Sequence, residues 1–419
     1  MKATMMTVRS VSFAAATVAA ALATLTPASA EAGWNFQTLD GDGGANGRVP
    51  GSMNQGTTTV LYNGKPHVFY YDNNGSDLRH AWYTGTEWFF ETVDGTAYTN
   101  GQYGHTVGHY PSATVFEGKI HVFYWDSDWR LLRHASYNGS SWQRETLDGE
   151  MSNYAGALDD DMGWRSTATT FNGDLYAFYY NATLGNLRAA RYNPLWNVWL
   201  FSNIDGFNGV NGKIDADVGW APSAVVAGGV LRVYSFNETT GDLRESRTSD
   251  GDTWFASTLD GNSVSGGRIN ANVGMESTAI LWNGDPHVLY ADSTNGNLRH
   301  ASLVNGSWSF ETLDGAGGVN GRVNANVGMY PSAVIHENNL HFYYQDLTNG
   351  NLRSGYWNGA GFSFVTLDGA GGPDGRINTY LGMHSSAVEY NGGPHVFYLD
   401  DVAGPNQTSG NLRTAFYTL

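Results

Sequence analysis

The dipeptide Asp-Gly recurs seven times at nearly constant spacing, and this repeat constrains the fold more than any other feature. The seven aspartates lie 54, 54, 57, 55, 54 and 54 residues apart, with an aromatic residue six positions before each. A period of about 50 residues built from short strands is typical of propellers, whose units bury their faces by stacking in a ring. We therefore predict an all-β fold, a seven-bladed β-propeller with four-stranded blades. The aspartates are Asp40, Asp94, Asp148, Asp205, Asp260, Asp314 and Asp368.

The sixth unit shows the predicted blade most clearly. Its strands are expected at 330–335, 340–345, 351–357 and 362–367, from the innermost to the outermost. Asn358-Gly359 stands between the last two strands, where Asn-Gly favours a two-residue type I′ turn. The same dipeptide follows the first or third strand at Asn63, Asn138, Asn172, Asn283, Asn305 and Asn391.

The two ends of the repeat complement each other. Residues 412–417 read as a third strand without an outer partner, and residues 34–39 read as an outer strand without the other three. Pairing them removes an open sheet edge. We predict that the N-terminal strand closes the last blade.

Residues 1–30 have the pattern of a signal peptide, with Lys2 and Arg9 before an apolar stretch and Ala28-Ser29-Ala30 at its end. We predict a secreted protein whose propeller spans residues 31–419. The formal net charge of −17 argues against nucleic acid as a partner, which requires a positive surface. Because no later stretch is long and apolar, we predict no membrane insertion. The chain has no cysteine, so burial and ring closure must stabilise it.

Basic residues recur at two positions of the repeat. The predicted third strand carries an arginine in all seven units, and the second strand ends in Asp or Asn. We interpret the Arg and the Asp as a structural ion pair across the hairpin. A basic residue also stands eight positions after the Asp of Asp-Gly in five units, and we interpret it as a brace for the loop. The arginines are Arg79, Arg133, Arg188, Arg244, Arg299, Arg353 and Arg413; the acids are Asp72, Asp126, Asp292, Asp346 and Asp400; the loop cations are Arg48, Lys213, Arg268, Arg322 and Arg376.

Histidines are placed in pairs on the second and third strands of three units. Eight of the twelve histidines occupy these two positions. Paired donors beside aromatic residues suit sugar recognition; a metal site is a weaker interpretation, because no third ligand is evident. The structural alternative is that the histidines hydrogen-bond a neighbouring blade. The pairs are His67 with His80, His121 with His134, and His287 with His300.

The fourth unit replaces the histidine pair with Arg232 and Glu245, followed by Trp254. This segment resembles the repeat of the fungal and bacterial fucose-binding propeller lectins. In that family an Arg and a Glu hold the sugar and an aromatic residue stacks on it, in pockets between blades. The resemblance implies that Arg232, Glu245 and Trp254 form such a pocket. The fungal lectins have six blades, whereas this chain has seven repeats.

The repeat loses its regularity immediately before each inner strand, where loops converge on the central channel. A ring that presents His, Tyr, Arg and Glu around one opening suits a catalytic funnel, with Tyr or His as a base and Arg neutralising a carboxylate. The alternative is that these loops vary without function. The candidates are His109, Tyr110, Arg165, Glu276, Tyr330 and His384.

The sequence therefore predicts a secreted carbohydrate-binding protein with sugar pockets between blades and a glycan or polysaccharide as its partner. The alternative is a propeller enzyme with one active site at the channel mouth, such as a polysaccharide lyase or glycosidase. A protein-binding scaffold is a third possibility, since propellers host unrelated functions. No cofactor and no metal is predicted, and the oligomeric state stays open.

Overall fold

The computed structural model describes residues 33–95, 105–207, 209–401 and 410–418, so the predicted signal peptide, residues 1–30, lies outside the described residues. Twenty-eight strands form the described chain, with one short 3-10 turn at Val210–Gly212. The strands are Trp34–Asp40 (β1), Met53–Tyr62 (β2), Lys65–Asp72 (β3), Asp77–Tyr83 (β4), Trp88–Asp94 (β5), Val107–Phe116 (β6), Lys119–Asp126 (β7), Leu131–Tyr137 (β8), Trp142–Asp148 (β9), Met162–Phe171 (β10), Asp174–Asn181 (β11), Asn186–Asn193 (β12), Val198–Asp205 (β13), Val218–Ala227 (β14), Val230–Asn237 (β15), Asp242–Thr248 (β16), Phe255–Asp260 (β17), Val273–Trp282 (β18), Asp285–Asp292 (β19), Asn297–Val304 (β20), Ser307–Asp314 (β21), Val327–His336 (β22), Asn339–Asp346 (β23), Asn351–Trp357 (β24), Phe362–Asp368 (β25), Tyr380–Tyr390 (β26), Gly393–Asp401 (β27) and Leu412–Tyr417 (β28).

These strands form seven four-stranded antiparallel sheets, which confirms the predicted seven-bladed β-propeller. Blades 1 to 6 each contain four consecutive strands, from β2–β5 in blade 1 to β22–β25 in blade 6. Blade 7 has the order β26-β27-β28-β1, in which Trp34 pairs with Tyr417 and Gln37 with Thr414. The N-terminal strand therefore closes the ring, as predicted. Among the described residues, no helix is long and apolar enough to cross a membrane.

The hydrophobic core lies between the blades. Seven clusters of buried residues each combine side chains from two adjacent blades; in one of them, Tyr234 and Leu243 of blade 4 pack with Val273 and Val288 of blade 5. A single blade would leave these faces in water, so burial requires the complete ring.

The Asn-Gly turns divide into two kinds. At five of the seven dipeptides both residues have positive φ, as in Asn283 (54°) with Gly284 (87°), which is the predicted type I′ geometry. Asn138 and Asn358 differ: Asn358 begins a longer loop, its backbone N–H bonds to Gly361 O, and its side chain accepts from the Ala360 and Gly361 N–H groups. The type I′ prediction is wrong at these two positions, because the Asn side chain supplies the turn's hydrogen bonds.

A buried Asp, Arg and Tyr join each blade to the next. Asp260 ends the outer strand of blade 4, and its Oδ2 accepts from Tyr290 OH (2.6 Å) and Arg299 Nε (3.0 Å) of blade 5. Its Oδ1 accepts from the N–H groups of Gly261 and Ile269, at 2.9 Å each. All seven Asp-Gly aspartates are paired with the third-strand arginine of the following blade.

This contact corrects the predicted ion pair. The third-strand arginines are structural, but their partner is the Asp of Asp-Gly in the preceding repeat, not the Asp that ends the second strand. Four of the latter residues cap the following turn instead; for example, Asp126 Oδ1 accepts from Trp129 N–H at 3.0 Å. Asp400 accepts from the Asn411 N–H group at 2.8 Å. The backbone N–H groups of the turn are the donors closest to the end of the strand. The carboxylate at the strand end therefore binds the turn and not the arginine.

Each inner strand carries a bulge next to the central channel. In blade 5, Met275 pairs with Ala291 and Thr278 with Leu289, so one extra residue separates the pairs on the inner strand. The residue at this bulge has positive φ in every blade. These bulges turn seven side-chain positions toward the channel axis, namely Gly56, Tyr110, Arg165, Ala221, Glu276, Tyr330 and His384.

We predict that Asp260→Ala lowers the free energy of unfolding by about 3–5 kcal/mol, because it leaves Arg299 buried without its carboxylate. Urea unfolding followed by tryptophan fluorescence measures the change. Asp42→Ala removes an exposed partner of Arg48, and the expected loss is below about 1 kcal/mol. Equal losses in the two variants would contradict the role of the buried contact.

Candidate functional site

The paired histidines form hydrogen-bonded sets with a glutamate of the same blade. In blade 1, His67 Nδ1 lies 2.9 Å from His80 Nε2, and His80 Nδ1 lies 2.9 Å from Glu91 Oε1. The indole N–H of Trp142 in blade 2 donates to the same Glu91 oxygen at 2.8 Å. Glu91 therefore anchors the histidine pair and links it to the neighbouring blade.

Blades 2 and 5 repeat this arrangement. His121 and His134 are 2.9 Å apart and His287 and His300 are 2.8 Å apart, and the second histidine of each pair contacts a glutamate at 2.8 and 3.0 Å. The histidines of the three sets are at most 7% exposed. The two imidazoles of each set thus bind each other in the interior, and a partly exposed carboxylate binds the second imidazole. In blade 2, the Nε2 of His121 is buried without a partner among the described residues. The two glutamates are Glu145 and Glu311.

Burial favours the neutral form of the second-strand imidazole in each set. Burial, followed by repulsion from His80, lowers the pKa of His67 to about 3. Burial and the neighbouring histidine lower the pKa of His121 to about 3 and that of His287 to about 4. Among the described residues, no group of three or more His, Asp or Glu side chains has the geometry to hold a metal ion.

Blades 6 and 7 lack the second histidine and the glutamate, and cavities open at these positions. Blade 6 has Ser354 and Val365 in their place, and blade 7 has Thr414 and Gln37. Small side chains in place of an imidazole leave space between the blades. We name the cavity between blades 7 and 1, which contains Gln37 and Thr414, the 7/1 pocket, and the cavity between blades 6 and 7, which contains Ser354 and Val365, the 6/7 pocket.

The 7/1 pocket has a volume of about 650 Å³. Its aromatic wall includes Phe416, which stacks on His395 at 5.5 Å, and half-buried Trp88. The Thr414 hydroxyl is 2% exposed and has no hydrogen-bond partner among the described residues. An unsatisfied buried hydroxyl beside exposed Gln37 gives the pocket a point at which a polar ligand can bind.

The 6/7 pocket is smaller, with a volume of about 300 Å³. His341 stacks on Tyr356 at 5.6 Å, and His336 binds Glu389 of blade 7 at 3.1 Å. Burial and the nearby His336 lower the pKa of His341 to about 4. Its neutral imidazole can therefore donate or accept at this pocket.

In the fourth repeat, Trp254 does not lie beside Arg232 and Glu245, with which the resemblance to the lectins had grouped it. Arg232 and Glu245 form an ion pair, and Glu245 also accepts from Arg247 at 3.0 Å. Trp254 lies on the opposite face of blade 4, where it packs edge-on against Phe178 of blade 3. The tryptophan on the Arg232 face is Trp308 of blade 5, which contacts Tyr234. Strand alternation explains the separation, because Trp254 and Ser257, the partner of Glu245, point to opposite faces.

The central channel brings together five of the six channel-mouth candidates. Arg165 pairs with Glu276 across the channel, and its guanidinium lies over the Tyr110 ring at 4.5 Å. Tyr330 and His384 have ring centroids 4.0 Å apart. These five residues, with Ser and Thr hydroxyls from every blade, line a cavity of about 310 Å³.

The sixth candidate, His109, points away from the channel. Its ring lies 4.0 Å from that of Tyr71 and 5.5 Å from that of Trp125, and burial lowers its pKa to about 4. His109 precedes the bulge and Tyr110 occupies it, so the two side chains diverge.

Sequence reasoning missed the glutamates of the histidine sets and the residues that open the pockets. Glu91, Glu145 and Glu311 each stand eleven residues after the second histidine of their set. This constant spacing was a usable signal. Thr414 and Gln37 give no such signal, because they lie at opposite ends of the chain and meet only in blade 7.

No protein-family model matches this chain. No curated protein matches it. Among solved structures, it is similar to the Aleuria aurantia lectin in complex with Fucα1-6GlcNAc, with 17% identity, a TM-score of 0.45 and coverage of 78% of this chain and 100% of the lectin. It is also similar to the leech intramolecular trans-sialidase, with 11% identity, a TM-score of 0.48 and coverage of 92% and 70%.

A further similar structure is a Mycobacterium tuberculosis puromycin-hydrolysing peptidase, with 11% identity, a TM-score of 0.49 and coverage of 85% of this chain and 50% of the peptidase. A lectin with a bound fucoside is thus among the structures similar to this chain, as the resemblance of the fourth repeat indicated. These likenesses concern the fold only.

We predict that acid weakens the fold through the histidine sets. An exposed histidine has a pKa of about 6.5, so below that pH the unfolded chain binds protons that buried His121 and His287 do not. Their stabilisation is complete above pH 6.5 and is lost as the pH falls towards 3–4. Thermal unfolding between pH 7.5 and 4 should show a shallower pH dependence for His121→Gln/His287→Gln than for the wild type. An unchanged slope would contradict this account, and His105→Gln serves as a control.

Proposed function

We propose that this chain is a secreted carbohydrate-binding protein and that the 7/1 and 6/7 pockets hold neutral sugar units. The observation that carries the proposal is the replacement of an imidazole and a carboxylate by small or amide side chains, which opens both cavities. The signal-peptide pattern of residues 1–30 supports secretion.

The chemistry of the pocket walls suits a sugar. A pyranose presents an apolar face that packs on aromatic rings and hydroxyls that need directional hydrogen bonds. Phe416, Tyr83 and Trp88 supply rings in the 7/1 pocket, and Thr414 and Gln37 supply polar groups. The cavity volume fits a ligand of one or two sugar units.

The histidine sets of blades 1, 2 and 5 are closed versions of the same position. His80 occupies the place that Thr414 occupies in blade 7, and Glu91 occupies that of Gln37. Because His67 and His80 already bind each other and Glu91, little of their hydrogen-bonding capacity is left for a ligand. Sugar binding by the residues that the sequence suggested stays a prediction. These residues are His67, His80, His121, His134, His287, His300, Arg232, Glu245 and Trp254.

The double variant Thr414→His/Gln37→Glu tests the 7/1 pocket by rebuilding the closed arrangement of blade 1. We expect the imidazole to fill the cavity and to weaken binding of a neutral glycan there by at least about tenfold, which corresponds to about 1.4 kcal/mol. Glycan-array screening of the wild type identifies the ligand, and titration calorimetry measures the affinity and stoichiometry.

The matched variant Ser354→His/Val365→Glu closes the 6/7 pocket, and the quadruple variant closes both. Thermal unfolding confirms that each variant is folded. Full glycan binding by the folded quadruple variant, or no neutral glycan bound by the wild type, would overturn the proposal.

A second candidate function is catalysis at the central channel, favoured by the convergence of five candidate residues on one cavity. Burial raises the pKa of Glu276, although Arg165 opposes the shift, and burial and Glu276 raise the pKa of Tyr330 to about 12. To act as the base, Tyr330 or Tyr110 would have to lose its proton against a pKa that burial raises. Arg165 would hold a uronate carboxylate, which has to displace Glu276. The substrate class would be an acidic polysaccharide.

For an enzyme, Tyr330→Phe should lower turnover by about 100-fold or more, as expected for loss of a general base. Release of unsaturated uronate, followed by ultraviolet absorbance, and release of reducing ends measure lyase and glycosidase activity. The 7/1 closing variant should keep this activity. Absence of both activities from the wild type on uronate-containing and neutral polysaccharides would exclude this candidate.

A further inference from the structure

Three arginines on consecutive loops form no ion pair and no side-chain hydrogen bond with any residue in the described ranges. Arg268, Arg322 and Arg376 lie in the loops that join blades 4 to 5, 5 to 6 and 6 to 7. Each guanidinium packs over a phenylalanine of the next outer strand, at 5.2, 5.7 and 5.4 Å from the ring centroid. We name these three residues the arginine arc.

The loop between blades 7 and 1 shows how the chain neutralises the same arginine. There Arg48 pairs with Asp42, two residues after Asp40. The equivalent positions in the arc loops hold Asn262, Ala316 and Ala370. The backbone of two arc loops is like that of the Arg48 loop, because Gly44, Gly318 and Gly372 have φ of 132°, 131° and 138°. The loops of Arg322 and Arg376 therefore lack the acid and keep the loop geometry.

A cavity of about 790 Å³ is lined by both Arg322 and Arg376. The two arginines are partly exposed, and the Nε of each is buried without a partner among the described residues. Two carboxylates in the wall, Asp346 and Asp368, are 1% exposed and already bind Asn349 and Arg413. The guanidinium groups of Arg322 and Arg376 are thus the charged groups that a ligand can contact at the cavity mouth.

A neighbouring acid, Glu311, lies within electrostatic range of Arg322. Arg322 helps to lower the pKa of Glu311, after the stronger effect of the hydrogen bond from His300. Glu311 is committed to that bond at 3.0 Å and does not pair with Arg322. Because an aromatic ring covers one face of each guanidinium, the edge of the guanidinium is left for bidentate binding of a carboxylate or sulfate.

We propose that the arginine arc binds an acidic glycan, with uronate or sulfate groups on a single chain contacting Arg322, Arg376 and Arg268. The repeat of one arginine per blade fits a polymer that carries charge at intervals. Nucleic acid is disfavoured, because single strands bind exposed aromatic rings by base stacking, and the phenylalanine rings of the arc are buried beneath the guanidiniums. The site is separate from the 7/1 pocket and holds whether or not that pocket binds sugar.

The test uses Ala316→Asp/Ala370→Asp, which rebuilds the internal pair of Arg48 and Asp42 in two loops and keeps every arginine. Binding of a fluorescent oligogalacturonate is measured by anisotropy at low and at 0.5 M salt, alongside Arg322→Met/Arg376→Met. We expect each double variant to weaken binding by at least about tenfold, as loss of charge-assisted bonds predicts, and the wild-type affinity to fall with salt.

Lys213→Met is the matched control, because Lys213 stands at the same repeat position and donates to Asn203 O; it should bind within about twofold of the wild type. Neutral-glycan affinity should be unchanged in the aspartate variant, which separates failure of this site from failure of the 7/1 pocket. Equal oligogalacturonate binding in all variants, no binding by the wild type, or tighter binding of single-stranded DNA of equal charge would overturn the proposal.

Discussion

The buried contact between Asp, Arg and the next blade is the interaction on which this ring depends. Each Asp-Gly aspartate satisfies its own loop with one oxygen and the following blade with the other, as Asp260 does for Ile269 and Arg299. Removing one partner would leave a charge in a medium where it is costly. The contact therefore fixes the distance between adjacent blades and holds the long loops on which the arginine arc lies.

With the blades held in this way, local substitutions decide the character of each junction. Where an imidazole pair and a glutamate fill the space, as with His67, His80 and Glu91, the junction is closed and satisfied. Where Thr414 and Gln37 replace two of them, the same backbone leaves a cavity. Differences in side-chain volume thus create candidate binding sites without altering the scaffold.

Much of this architecture could be predicted from particular residues. The aromatic-to-Asp-Gly spacing predicted every blade, and the complementary ends predicted the pairing of Trp34 with Tyr417. Short-range rules failed where side chains compete for backbone groups: Asn358 forms a longer loop, and Asp126 caps a turn. Arg299 was correctly interpreted as structural, but its partner lies one repeat earlier, because the relevant contact crosses between blades.

The sequence by itself determined the number of blades, their strand order and the closure of the ring, because these follow from periodicity and from hydrophobic faces that one blade cannot bury. Only the tertiary structure decided which side chains meet. Trp254 and Glu245 are close in the sequence but lie on opposite faces of their blade. Arg165 and Glu276 are far apart in the sequence but pair across the channel. Strand alternation and ring curvature set these distances, and neither can be read from spacing along a single repeat.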